Sequence, residues 1–451
     1  MSMMEVVAIR RTPQLVGAPT GTSAESRERA PLEIGGITLK PVFEPARLPR
    51  AVASAGGAPS APLRLDRYYR VVAERGEALE IAQALRARDD IETAYVKPRP
   101  LLPLAPDQPE LELAPAIADQ PVPDFAARQG YHAPAPEGVA IDAAWALPGG
   151  MGDDVRIIDI EGGWCLDHFD LGGNGGLAGG DPYPELDWRN HGTAVLGVLI
   201  AEDNSSGVRG LAPNARGSAF THRLEGPAGA IQRAADLLGP GDLLLLEMHS
   251  PGPRYDFEER DDQAGYVAVE WWPDCYDAIR YAIRRGVVVV EAAGNGAEDL
   301  DDPFYDASAD YFPEDWSNPF LRRDSGAILV GAGTPAGGGF GAPRSRLDFS
   351  NYGTRVDCQG WGRAVCTTGY GDLYAGSGER QWFTREFSGT SSASPIVTGV
   401  AACLQGIAKK RGAPLSPLAM RQLLRDNGSE QQGPNEPIGR LPDLGKLVGK
   451  L

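Results

Sequence analysis

VRIIDIEGG, residues 155–163, reads as a strand running into a tight turn. The run Val155 to Ile158, β-branched but for Arg156, ends at Asp159, as expected of a carboxylate at the C-terminal edge of a buried parallel strand. NHGTAVLGV, residues 190–198, sets His191 ahead of small and apolar residues, which predicts a helix packed closely on a sheet with the histidine in its first turn. FSGTSSASPIVTGVAA, residues 387–402, sets Ser391 before a helical stretch from Ile396 to Ile407. A hydroxyl at a helix N-terminus meets unpaired backbone N–H groups that favour developing negative charge. An acid, a base and a hydroxyl are the set that acyl transfer needs. Serine attacks only if a histidine takes its proton, and a carboxylate must hold that histidine in the right tautomer.

With these motifs in this order, the chain resembles the subtilisin-like serine peptidases, the subtilase family. GTSSASP is similar to the family's serine motif, HGTAVLG to its histidine motif, and IIDIEGG to its strand ending in Asp before a glycine turn. VVVVEAAGNG, residues 287–296, matches the strand whose asparagine donates to the oxyanion, so the resemblance gives Asn295 that role. Lesser matches are GVRGLAPNA (207–215), GDLLLLEM (241–248) and DFSNYGTRVD (348–357). The resemblance covers roughly residues 145–450. It implies an α/β three-layer sandwich around a mainly parallel sheet, with Asp159, His191 and Ser391 as the triad.

Three places depart from the family pattern. Asp159 is followed by Ile160-Glu161-Gly162-Gly163; Glu161 is expected to face solvent, the alternative being a second carboxylate near the triad that raises the pKa of a neighbouring acid or of the histidine. The segment that walls the substrate cleft in the family is here Glu247-Met248-His249-Ser250, and Gly294 is a further substrate-binding candidate. If Glu247 faces the cleft, it favours a basic residue before the scissile bond. Many members of the family bind a structural calcium, and Asp170 and Asn204 stand at the matching places; the alternative is a polar loop bonded to itself, and no cofactor is required.

The net charge of −18 speaks against nucleic acid and anionic membrane surfaces as partners. The start of the chain has no apolar run of signal-peptide length, and no stretch reads as a membrane span. Five cysteines without a CxxC pair suggest neither zinc nor a disulfide framework. Together these read as a cytoplasmic protein.

Residues 1–30 are polar and aperiodic, and are expected to be disordered. Residues 31–98 carry a strand, helix, strand pattern: Ile37–Phe43, Tyr68–Ala73, a helix over Glu77–Ala87, and Ile91–Val96. This small α+β unit resembles the propeptide or inhibitor domain that precedes many subtilases, which makes the chain's own N-terminal domain a candidate intramolecular inhibitor. Residues 99–124 are proline-rich and read as a stiff linker, and 125–451 as the catalytic domain. The expected function is a serine endopeptidase of restricted specificity acting on protein or peptide in intracellular processing. A silent binding module and an acyl-transfer macrocyclase stay open as alternatives.

Overall fold

The computed structural model describes residues 3–11, 30–45, 63, 65–102, 111–115, 121–307, 312, 320–433 and 435–451. Its N-terminal unit is an antiparallel sheet with one helix: β1 (Met3–Arg10), β2 (Leu32–Ile34), β3 (Ile37–Pro41), β4 (Tyr68–Glu74), α1 (Arg75–Arg86) and β5 (Ile91–Pro98), in the order β2-β3-β4-β1-β5. The expectation of disorder at the very start is corrected by β1, which pairs with both β4 and β5. Residues 12–29 lie outside the described residues. β1 buries both faces: Val6 and Ala8 pack under α1, while Val7 and Ile9 face the larger unit. A strand apolar on both faces has no period of two, so alternation could not reveal it.

The larger unit runs α2 (Asp142–Trp145), β6 (Arg156–Glu161), β7 (Leu177–Gly179), α3 (Leu186–Ile200), β8 (Arg216–Thr221), α4 (Gly226–Leu237) and β9 (Leu243–Leu246). A hairpin follows, β10 (His249–Pro251) and β11 (Tyr266–Ala268), then α5 (Pro273–Arg284), β12 (Val288–Ala292), α6 (Phe304–Ala307), β13 (Ile328–Gly333) and β14 (Cys358–Trp361). A second hairpin, β15 (Val365–Thr368) and β16 (Phe383–Phe387), leads into α7 (Thr390–Lys410), α8 (Pro417–Asp426) and α9 (Leu444–Leu447). The main sheet has the order β14-β13-β12-β9-β6-β8-β7, with parallel pairings throughout.

Strand alternation assigns the two faces. Ile157, Leu243, Leu245 and Val290 pack with α3 and α7, while Ile158, Ile160, Leu244, Leu246 and Val289 pack with α4 and α5. Each such side chain contributes about 1.5–3 kcal/mol by leaving water. The result is the expected three-layer α/β/α sandwich. α7 has the length and apolarity of a membrane span, but its apolar stretch lies buried inside the protein.

The N-terminal sheet docks on α4 and α5 through Val7, Ile9, Phe43, Tyr68 and Tyr95. Polar anchors accompany this contact. The Tyr95 hydroxyl donates to Asp274 Oδ1 at 3.0 Å, and that of Tyr68 to Asp277 Oδ2 at 3.0 Å. Buried Lys97 reaches Asp274, and lies 3.1 Å from Glu5.

Candidate active site

Glycine turns bring the site together. Gly162 and Gly163 follow β6 directly, and the Trp188 ring lies where a Cβ on Gly162 would sit. A Cβ on Gly192 would meet the Gly163 carbonyl at 2.3 Å and the Trp164 indole at 2.4 Å. α3 therefore lies on the turn at van der Waals contact only because Gly192 lacks a side chain. This close approach delivers His191 to the end of β6. α3 starts at Leu186, so His191 stands in its second turn rather than the first. Hydroxyls of Thr367 and Thr368 on β15 donate to the Ala194 and Thr193 carbonyls at 2.8 and 2.6 Å and tie the same helix from its other side.

His191 Nδ1 meets Glu161 Oε2 at 2.7 Å, and both side chains are fully buried. Asp159, the residue expected in that place, instead accepts from the Trp164 indole N–H through Oδ2 at 2.8 Å. Glu161 does not face solvent. The physical reason lies in the strand: residues i and i+2 share a face, so Asp159 and Glu161 both point toward α3. The helix crosses at the turn, where only the second carboxyl reaches the ring. The signal was present in the sequence, because the glycine turn follows Glu161 and not Asp159. A carboxylate accepting from Nδ1 leaves Nε2 as the basic nitrogen. Nε2 has no hydrogen-bond partner among the described residues.

Ser391 is the second residue of α7, after Gly389 at φ +98°. Its side chain hydrogen-bonds the Glu247 carboxyl, which also accepts from the Ser394 hydroxyl at 2.5 Å. Glu247 is thus a fully buried neighbour of Ser391 and not a charged wall for a basic substrate residue, which corrects that expectation. It continues β9 beside Glu161, with its N–H on the Ile160 carbonyl at 3.1 Å. Met248 turns into the opposite core with Leu244 and Leu246 and does not line the cleft. His249 lies at the edge: its Nδ1 accepts from the Asn295 N–H at 3.3 Å. Ser250 is buried in β10, and Gly294 holds φ +97° where a Cβ would meet Asn351 Nδ2 at 2.8 Å.

Asn295 Oδ1 accepts from the Thr390 N–H and hydroxyl, each at 2.9 Å. That fixes the amide with its NH2 away from Thr390. Asn295 Nδ2 lies 3.4 Å from Gln263 Oε1, and Gln263 Nε2 in turn donates to the Leu102 carbonyl at 3.3 Å. Leu101 pairs with His249, its N–H 3.4 Å from that carbonyl. The segment leaving β5 therefore lies along the β10 edge.

Burial governs the charges. It drives the Asp159 carboxyl well above the usual carboxylate range, and the charge of Glu161 adds to the rise. Burial raises Glu161 likewise, and Glu247 too, with Asp159 as a second cause. It lowers His191 to about 4 and His249 to about 3.

The proposed calcium ligands do meet, but as partners of each other. Asn204 Nδ2 donates to Asp170 Oδ1 at 3.0 Å, and the Val208 N–H to Asp170 Oδ2 at 2.7 Å. Asn204 Oδ1 accepts from the Ser206 N–H at 2.9 Å. Burial pushes Asp170 up to about 7. A cation needs several outward oxygens, and here the oxygens are already taken by N–H donors, so these residues do not fit calcium.

Residues 173–440, more than half of the chain, match the model of the subtilase family. The chain belongs to the subtilase family. The match holds His191, Asn295 and Ser391 but begins beyond the two β6 carboxyls. A thermophilic serine proteinase from Bacillus sp. (strain AK1) is 31% identical over 288 residues, 61% of this chain and 58% of that one. An intracellular serine protease from Paenibacillus polymyxa is 26% identical over 290 residues, 60% of this chain and 72% of that one. This subtilase thus spans little more than half of the first of these relatives. Among solved structures, the epidermin leader peptide processing serine protease from Staphylococcus aureus has a TM-score of 0.52 at 19% identity, covering 85% of this chain and 90% of that one. It shares the fold.

Proposed function

We propose that this subtilase is a serine endopeptidase with a Ser391–His191–Glu161 triad. The observation that carries the reading is the buried 2.7 Å contact of His191 Nδ1 with Glu161 beside a serine at the N-terminus of α7. In the reaction, the Ser391 hydroxyl leaves Glu247 for His191 Nε2, gives up its proton there and attacks the peptide carbonyl. Glu161 holds the imidazolium that forms. Asn295 Nδ2 and the Ser391 N–H receive the oxyanion, the imidazolium protonates the leaving amine, and water resolves the acyl-enzyme.

The substrate binds as an extended strand along β10. Residues 99–102 take that edge in the resting chain, which makes the N-terminal unit an intramolecular inhibitor. The Leu101–His249 pairing and the Gln263 bridge from Leu102 to Asn295 support this. A cleft edged by His249 and closed by the β10–β11 hairpin favours restricted specificity. Intracellular processing is supported by five buried, free thiols and by the name of the Paenibacillus polymyxa relative.

Intact mass of wild type and Ser391→Ala after fluorophosphonate treatment tests the reading. One label on wild type, none on Ser391→Ala, and linear cleavage products are expected. Absence of label, even after removal of residues 1–102, would sink it in favour of a silent binding module. Cyclic products would establish the macrocyclase instead.

A further inference from the structure

The reaction assigned above makes no use of Asp159, which is fully buried beside the proposed acid. It stands two residues before Glu161 on the same face of β6. Each carboxyl has one oxygen engaged, Asp159 Oδ2 by the Trp164 N–H at 2.8 Å and Glu161 Oε2 by His191 at 2.7 Å. The other two, Asp159 Oδ1 and Glu161 Oε1, are buried with no partner elsewhere among the described residues. Two adjacent buried carboxyls, each with one orphan oxygen, satisfy each other only if a proton lies between them.

We propose that Asp159 is a positioning residue that holds a proton and donates it, as a hydrogen bond, to Glu161. The shared proton leaves one negative charge behind His191 where the sequence places two. It also pins Glu161 Oε1, so that Oε2 stays aimed at Nδ1. Trp164 fixes the roles by giving Asp159 Oδ2 a donor, which leaves Oδ1 to carry the O–H. The shift of Asp159 toward its neutral form by burial and by Glu161 agrees with this arrangement. The titratable groups around the pair are Glu247 after β9, which acts on both carboxyls, His191 on α3, and Tyr370 beside Glu161, while His249 on β10 acts on His191. Ser391 and Ser394 on α7 face Glu247 and carry no charge.

The inference rests on the triad reading, and one of its two tests does not need turnover. Infrared difference spectroscopy at neutral pH, wild type minus Asp159→Asn, should show one protonated-carboxyl band that shifts in D2O. Its absence overturns the proposal whether or not Ser391 reacts. In pH profiles of kcat/KM, Asp159→Asn keeps both the N–H donor to Glu161 and the acceptor for Trp164. It should stay within about threefold of wild type with the same acid limb. Asp159→Val removes the donor, so Glu161 protonates more readily. Its acid limb should move to higher pH, with a loss of about 10–100-fold at neutral pH in kcat and little change in KM. Three superimposable limbs, with Asp159→Val merely less stable, would reduce Asp159 to a packing residue. Asp159→Asn as impaired as Asp159→Val would do the same.

Discussion

Glu161 and Asp159 differ by two positions in sequence and by one role in space. Glu161→Gln should lower kcat on the order of 10^4-fold, because an amide facing Nδ1 favours the wrong imidazole tautomer. Asn295→Ala should cost about 10^2–10^3 in kcat with KM little changed, since that amide acts on the oxyanion and not on bound substrate. Steady-state kinetics on one peptide checks both. The acid limb of kcat/KM should fall below the ordinary imidazole range, because burial holds His191 neutral down to about 4. A limb near pH 6.5 would show the site open to water. The runs around His191, Ser391 and Asn295 were legible in the sequence because each is a short contiguous motif, and it is the resemblance that gives them their roles. The acid was misread because two carboxyls on one strand face look alike until a helix crosses over one of them.

Helix α3 is placed by contact with a turn, and that contact is sensitive to a single methyl. Gly192→Ala puts a Cβ 2.3 Å from the Gly163 carbonyl, so α3 must lift. Overpacking of this kind costs about 1–3 kcal/mol. The expected result is a lowered melting temperature and a larger fall in kcat, because the His191–Glu161 contact opens first. The β10–β11 hairpin acts in the opposite sense. Gln263→Ala frees Asn295 Nδ2 from a long hydrogen bond, and such bonds contribute about 0.5–1.5 kcal/mol, so kcat/KM should rise about 2–10-fold. Unchanged kinetics would mean that the hairpin does not restrain the site. Helix α1 and strands β3 to β5 were legible from their periods. β1 was not, since its two faces are both covered, one by α1 and the other by the larger unit.

The two units are joined through buried charge. Burial alone would raise the Glu5 carboxyl, but Lys97 and Arg70 beside it hold it at about 2. A carboxyl depressed in the folded state stabilises fully above its unfolded value of 4.5, and that stabilisation is lost as pH falls toward 2. Arg70 and Lys97 belong to the same sheet as Glu5, so it is the folding of the N-terminal unit that should weaken across that interval. Hydrogen exchange of β1 and β5 reads this directly, and Glu5→Gln should remove that part of the pH dependence. Lys97→Met leaves Asp274 without its buried cation, and loss of one partner from such a pair costs about 3–5 kcal/mol. Undocking would also lift residues 99–102 from the β10 edge.

Sequence alone determined the layered α/β fold and the short runs around Ser391, His191 and Asn295 that carry the resemblance, because each is contiguous along one element. Tertiary structure decided which carboxyl meets the histidine, where Glu247 points, and that Asp170 and Asn204 satisfy each other. Those outcomes depend on how a helix, a turn and neighbouring strand ends meet, and a contact between elements distant in the chain leaves no period in any one of them.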